Sequence, residues 1–263
     1  MTDILSARGV VKGFGGASGA LTIIDELTLA IRAGEFVSLV GPSGCGKTTL
    51  LMCLSGLLGV DKGEVAFKGQ VVRGTPKGLA VVFQDYSRSL LPWKNNLENV
   101  LFGMRRVDGM DTKAKRDRAR ELLDAVGLSG FASHFPWQVS GGMQQRVAIA
   151  RGLAAQSELL LLDEPLAAVD AQTRADMQDL LLDLARRFKQ TCVLVTHDVE
   201  EAVYMADRVL VLGPRPTKVV REIKIELASP RDQIESREQP AFLHARHEVL
   251  SMIRSMRKVG TVS

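Results

Sequence analysis

Cysteine is scarce in this sequence. Cys45, Cys53 and Cys192 are the only three among 263 residues, an odd number without framework spacing. That excludes a disulfide scaffold and reads as reduced thiols in a reducing compartment. Long apolar runs are lacking too. Residues 50–60 are interrupted by Cys53, Ser55, Gly56 and Gly59, and residues 159–162 are shorter still, so neither run can cross a bilayer. Residues 1–8 have no basic segment followed by an apolar one, and no signal peptide is expected. Charge of one sign is also not in large excess. The net charge is +4 with 24% charged residues, which does not by itself argue for a nucleic-acid partner. The sequence predicts a soluble, cytoplasmic chain.

What is present is 46% hydrophobic content in a chain long enough for one large core, or one core with a small appended lobe. Residues 1–40 read as β-rich. Val10-Val11 and residues 21–24 are short β-prone segments, residues 27–31 alternate apolar and polar, and residues 36–40 form a compact apolar run ending at Gly41. A helix is expected over 48–58, with Gly59 as its stop. Residues 64–67 and 70–72 look like a hairpin around Lys68-Gly69, and 79–83 like a buried strand. From about 85 to 155 the texture turns helical. Over 113–126, charges line one side and Leu122, Leu123 and Val126 the other, with Gly127 closing the helix. Strands at 159–162, 192–195 and 208–212 then alternate with helices at 173–188 and 200–206. This rhythm predicts an α/β fold with a mostly parallel sheet, an antiparallel β region near the N-terminus and an inserted helical subdomain. A last helix over 241–256, with Phe242, Val249, Leu250, Ile253 and Met256 on or near one face, is expected to pack on the core.

Gly41-Pro42-Ser43-Gly44-Cys45-Gly46-Lys47-Thr48 fits the phosphate-binding loop pattern G-x-x-x-x-G-K-[ST]. The pattern has a physical reason. ATP presents several anionic oxygens within a few ångströms, and glycines let the backbone curl so that successive N–H groups point inward. The helix that follows adds its positive dipole end. Lys47 should reach the β- and γ-phosphates and Thr48 should ligate Mg²⁺, with Pro42 and Cys45 as spacers. A preceding apolar strand and a following helix give the motif the context it needs.

Leu159-Leu160-Leu161-Leu162-Asp163-Glu164 reads as a buried strand ending in two carboxylates, and ligands in α/β sheets collect at such ends. Asp163 can hold Mg²⁺, and Glu164 can orient or deprotonate the attacking water. Val193-Leu194-Val195-Thr196-His197-Asp198 repeats the design, with His197 at the nucleotide edge, where it could bind the γ-phosphate. Ser140-Gly141-Gly142-Met143-Gln144-Gln145-Arg146 opens a helix whose first N–H groups can face an anion. A second phosphate grip is redundant on one chain unless it serves a neighbour's nucleotide.

With that segment the chain resembles the ATP-binding subunits of ABC transporters. Their L-S-G-G-x-x-Q-R signature is matched from Val139 to Arg146, with valine in place of the usual leucine, and the motif order covers nearly the whole chain. The resemblance implies a P-loop NTPase core over 1–228, with the helical subdomain at about 85–155, and a C-terminal helical tail over 229–263. It implies that Phe14 stacks on adenine, beside the plainer reading of a core phenylalanine. It makes Gln84 the glutamine that senses Mg²⁺ and couples to the membrane subunit, and it adds Thr49 and Gln144 to the nucleotide-contacting set. Glu164 becomes the catalytic base and His197 the switch histidine. Ser140, Gly141 and Gly142 would contact the γ-phosphate held by a partner chain. Asp170 matches the D-loop aspartate, although Ala167-Ala168-Val169 departs from the commoner S-A-L or G-A-L. The implied assembly is a head-to-tail homodimer with two ATP molecules and Mg²⁺, peripheral on the inner face of the cell membrane. It would work with an integral membrane permease and an extracytoplasmic solute-binding protein.

Ser89-Leu90-Leu91-Pro92-Trp93 and the tail over 229–256 look like the importers for nitrate, sulfonate and taurine. A soluble ABC-type ATPase acting on nucleic acid or ribosomes is the rival reading, and an exporter subunit a third. The basic residues Arg105, Arg106, Lys113, Lys115, Arg116, Arg118 and Arg120 are interleaved with Asp108, Asp111, Asp117 and Glu121 and lack aromatics. A solvated helix face is expected there, not a nucleic-acid surface. His244 and His247 have the i, i+3 spacing of metal ligands but no third partner in sequence, so they are read as a surface pair.

Overall fold

Runs of Val, Leu and Ile too short for helices become the strands of this protein. A computed structural model describes residues 3–16, 19–85, 89–167 and 169–259. These form two compact units, one made of Met1–Pro76 with Thr191–Ser263 and the other of Lys77–Gln190.

The first unit holds an antiparallel sheet of β1 (Asp3–Gly16), β2 (Gly19–Arg32), β4 (Lys62–Phe67) and β5 (Gln70–Val71), in the order β2-β1-β4-β5. The two short β segments expected before residue 25 are parts of 14-residue strands. Bulges between Ala7 and Val10 and between Val10 and Lys12 break their period-two pattern, which is why each strand reads as fragments in sequence. The same unit holds β3 (Phe36–Val40), parallel to both β8 (Thr191–Val195) and β9 (Arg208–Leu212), with β10 (Val219–Lys224) antiparallel on β9. Every residue of β3, β8 and β9 is buried, as expected of parallel strands covered on both faces.

Helix α1 (Lys47–Ser55) stops earlier than Gly59. Gly56 takes φ 75° and donates its N–H to the Cys53 carbonyl. A Cβ there would lie 2.5 Å from the Gly74 carbonyl oxygen, so only glycine ends the helix at this point. Between β8 and β9 runs α6 (Val199–Met205). The tail adds α7 (Glu235–Glu238) and α8 (Pro240–Val259), whose Phe242, Ala245, Val249 and Ile253 are buried at helical spacing. Burying each large apolar side chain contributes roughly 1.5–3 kcal/mol.

The second unit carries β6 (Leu79–Val82) parallel to β7 (Leu159–Asp163). Between them in sequence lie α2 (Asn96–Gly103), α3 (Thr112–Ala125) and α4 (Gly141–Ala154), and α5 (Ala171–Arg187) follows β7. Helix α2 begins with a capping box, the Asn95 side chain accepting from the Glu98 N–H and Glu98 accepting from the Asn95 N–H. Parallel pairs with crossover helices in both units make this the α/β class expected from the sequence.

Candidate active site

Strand β3 delivers the chain to the phosphate loop, and the loop's carbonyl groups are engaged one after another. Lys47, only 7% exposed, donates its ammonium to the carbonyls of Gly41 at 3.0 Å and Pro42 at 3.2 Å. Arg215 donates Nε to the Gly44 carbonyl at 2.9 Å. The Thr217 hydroxyl donates to the Cys45 carbonyl, and the Leu50 N–H to the Gly46 carbonyl. Turning the Cys45 carbonyl onto Thr217 points the Gly46 N–H of the same peptide the other way, toward any anion held in the curl, whereas the Cys45 N–H is bonded back to the Pro42 carbonyl at 3.3 Å. Gly46 sits at φ 113°, and a Cβ on it would meet Ile23 Cγ2 at 2.6 Å. Both facts restrict that position to glycine.

The remaining sequence candidates of this unit fall around the loop. Ser43, Gly44 and Thr48 are exposed, Pro42 and Thr49 half-buried. Burial raises the Cys45 thiol, and the neighbouring Lys47 charge only partly offsets this, so Cys45 is a neutral spacer at physiological pH. Phe14 is 46% exposed, with the Lys12 ammonium 5.7 Å from its ring centre, so it is not a core residue. It pairs with Leu21 on β2, two residues from the Ile23 that abuts Gly46, about 7 Å along the strand.

The β3–β8 register pairs Leu39 with Val195, which carries His197 to the level of Gly41. The turn around this exposed histidine is tightly bonded. The buried Thr196 donates its hydroxyl to Glu201 and accepts the Asp198 N–H at 3.1 Å. Asp198 Oδ1 accepts the N–H groups of Glu200 and Glu201, capping α6.

In the second unit the β6–β7 register pairs Val82 with Leu162, which brings Gln84 to the level of Glu164 just past the strand ends. Asp163 is 4% exposed at the end of a fully buried strand. Glu164 has φ 43°, a left-handed backbone that costs a non-glycine residue about 1–2 kcal/mol. Strain of this kind persists where the surroundings over-determine it, commonly at functional positions. Ser140 caps α4 by accepting the Met143 N–H at 3.3 Å, and Gln144 donates Nε2 to the Val139 carbonyl at 3.4 Å. Asp170 caps α5, accepting the Thr173 N–H at 3.0 Å and its hydroxyl at 2.7 Å. These two bonds, the backbone one first, hold the Asp170 carboxyl below its ordinary range. A Cβ on Gly142 would lie 3.1 Å from Thr173 Cγ2, so the Ser-Gly-Gly turn touches the start of α5. Ala168 lies outside the described residues.

The description "ABC transporter" belongs to the family model that matches residues 24–167. An uncharacterized ABC transporter ATP-binding protein of Methanocaldococcus jannaschii is 42% identical over 250 residues, covering 95% of this chain and 91% of its own. The chain belongs to the ABC transporter family. As an ABC ATPase it binds and hydrolyses ATP. Among other relatives is an aliphatic sulfonates import ATP-binding protein of Burkholderia cenocepacia, 46% identical over 82% of this chain and 77% of the relative. A taurine import ATP-binding protein of Yersinia pestis is 41% identical over 90% of this chain and 93% of the relative. The dimeric, post-hydrolysis structure of the ATP-binding cassette MJ0796 with ADP and Pi superposes with a TM-score of 0.74 at 33% identity. It covers 84% of this chain and 98% of the cassette.

Two residues of this ABC ATPase that sequence reasoning missed are Arg215 and Thr217. Their only signal is the turn-forming Gly213-Pro214-Arg215-Pro216-Thr217 after β9. Missed likewise were Arg151 and Asn99, which shape the segment after Gln84. Arg151 donates to the Ser89 carbonyl at 2.6 Å and hydroxyl at 2.9 Å. The fully buried Asn99 side chain accepts the Leu91 N–H and donates to the carbonyls of Leu91, Lys94 and Asn95. Between these anchors Trp93 stands 71% exposed. Among the described residues no helix is long and apolar enough to cross a membrane.

Proposed function

We propose that two copies of this chain clasp ATP head to tail and use its hydrolysis to drive a separate permease that imports a small anion of the sulfonate, taurine or nitrate type. The observation that carries this reading is the pair of relatives named for sulfonate and taurine import, at 46% and 41% identity. A dimeric cassette among the structural neighbours supports the two-copy arrangement.

The roles follow from residue chemistry. The loop N–H groups and Lys47 hold the β- and γ-phosphates, with Ser43, Gly44, Thr48 and Thr49 around them, and Phe14 offers its exposed ring to adenine. The Ser140-Gly141-Gly142 turn and Gln144 meet the γ-phosphate on the partner copy, with Asp170 beside them. Glu164 orients the attacking water and accepts its proton, while His197 contacts the γ-phosphate. Thr48, Gln84 and the buried Asp163 each offer a hard oxygen of the kind Mg²⁺ takes, an ion that usually uses one or two protein ligands and keeps waters. When bound, Mg²⁺ neutralises charge on the β- and γ-phosphates. The chain would sit on the inner face of the membrane, its permease seated near Gln84 and Trp93, with an extracytoplasmic binding protein presenting the solute. No nucleic-acid partner is part of this reading.

Glu164→Gln is expected to lower turnover by at least about a hundredfold and to trap an ATP-bound dimer on size-exclusion chromatography. Turnover at the wild-type rate overturns the assignment of Glu164. Growth of a deletion strain on taurine or an alkanesulfonate as sole sulfur source, equal to its parent's, overturns the sulfonate and taurine reading.

A further inference from the structure

The C-terminal tail does more than cover apolar surface. Its arginines converge on α6, the helix that begins just after His197. Arg231 donates to the carbonyls of Tyr204 and Ala206 at the end of that helix. The Arg237 guanidinium lies over the Tyr204 ring, 4.9 Å from its centre. At the other end of α6 a single carboxylate is held by two cations. Glu200 Oε2 accepts from Arg237 at 3.2 Å and Glu200 Oε1 from Arg246 at 2.9 Å. The backbone N–H of Glu200 donates to Asp198 Oδ1 at 2.9 Å, and Asp198 follows His197 directly.

We propose that the tail is a positioning element for His197, acting through Glu200. Arg237 and Arg246 fix the Glu200 side chain from α7 and α8, Glu200 fixes the first turn of α6, and the Asp198 cap passes that restraint to the histidine. An exposed ion pair alone holds little. Here both carboxylate oxygens are engaged, each arginine comes from a separate helix, and Phe242 and Val249 anchor α8 in the core. The tail thereby sets how steadily the histidine meets the γ-phosphate without touching nucleotide. This inference rests on the reading of His197 given above.

The test measures steady-state ATP hydrolysis and thermal unfolding of the full chain. Compared with wild type are Arg246→Ala, Arg246→Lys, Glu200→Gln, the Glu200→Gln/Arg246→Ala pair and His197→Ala. Arg246→Ala and Glu200→Gln should each lower kcat about three- to fivefold, with KM for ATP within about twofold. Combining them should add little to the loss in Glu200→Gln alone, because Arg246→Ala removes a contact that Glu200→Gln already weakens. Arg246→Lys should restore most of the rate. Losses in rate should not follow Tm across the set, as they would if the tail were only structural. Wild-type kcat in Arg246→Ala, with His197→Ala impaired, overturns the inference alone, as do fully additive losses in the pair. Wild-type turnover in His197→Ala removes the histidine reading and the inference together.

Discussion

Arg215 Nε lies 2.9 Å from the Gly44 carbonyl oxygen, and two residues on Thr217 donates to the carbonyl of Cys45. The loop after β9 thus holds the back of the phosphate loop from 171 and 172 residues away in sequence. The restraint acts on the loop's shape, and Arg215 also brings a permanent cation against Gly44.

Removing it should therefore weaken nucleotide binding more than chemistry. Arg215→Ala and Thr217→Val are expected to raise the Kd for a non-hydrolysable ATP analogue by about five- to thirtyfold each, the worth of one or two hydrogen bonds. The kcat at saturating ATP should stay within about threefold. Isothermal titration and steady-state kinetics on the same samples check this.

Glu164 joins a strained backbone to the catalytic role proposed for it. Glu164→Gly relieves a left-handed conformation at φ 43°, a gain of about 1–2 kcal/mol that the greater freedom of glycine in the unfolded chain partly offsets. Turnover should collapse while Tm holds or rises by a few degrees. A clear fall in Tm would show that Glu164 stabilises the fold more than its backbone costs.

The Asp170 cap makes the start of α5 sensitive to acid. Its carboxyl is held below the ordinary 3.8 by the Thr173 N–H and then the Thr173 hydroxyl. A depressed folded value means the contribution is complete above the unfolded pKa and is lost as pH falls through the folded one. Tm for wild type and Asp170→Asn, measured from pH 7 to about 3, should show wild type ahead at neutral pH and the gap closing below about 4.

Thiol chemistry should be silent in the native protein. Burial pushes Cys53 up to about 11 and Cys192 to about 12, and it raises Cys45 as well. Raised values leave little thiolate at pH 8, so iodoacetamide should label none of the three until denaturant is added, as read by mass spectrometry.

Much of this was legible because local chemistry and fold agree. Residues 36–40, 159–162 and 192–195 are apolar runs that could only be buried strands, and Gly46, Lys47 and Ser140 stand in motifs whose spacing dictates their geometry. What escaped reading depends on distant partners. β10 is half polar because it is an edge strand, so its residues carry no apolar pattern. Gly56 ends α1 three residues before the expected Gly59, because Gly74 leaves no room for a side chain there. Arg215 and Asn99 act on backbone carbonyls, which any sequence offers, so nothing in the letters marks their targets.

In the proposed two-copy assembly, the contact of Gly142 with Thr173 joins two surfaces that a partner would meet. One methyl group, 3.1 Å from where a Cβ would stand, joins the turn that would face a neighbour's triphosphate to the helix capped by Asp170. In the proposed dimer, a neighbour arriving at either loop would meet the other one held beside it by that contact. Bulk at position 142 would split them. Under the proposed function, such a protein would still grip nucleotide in its own loop while closing less readily on its partner.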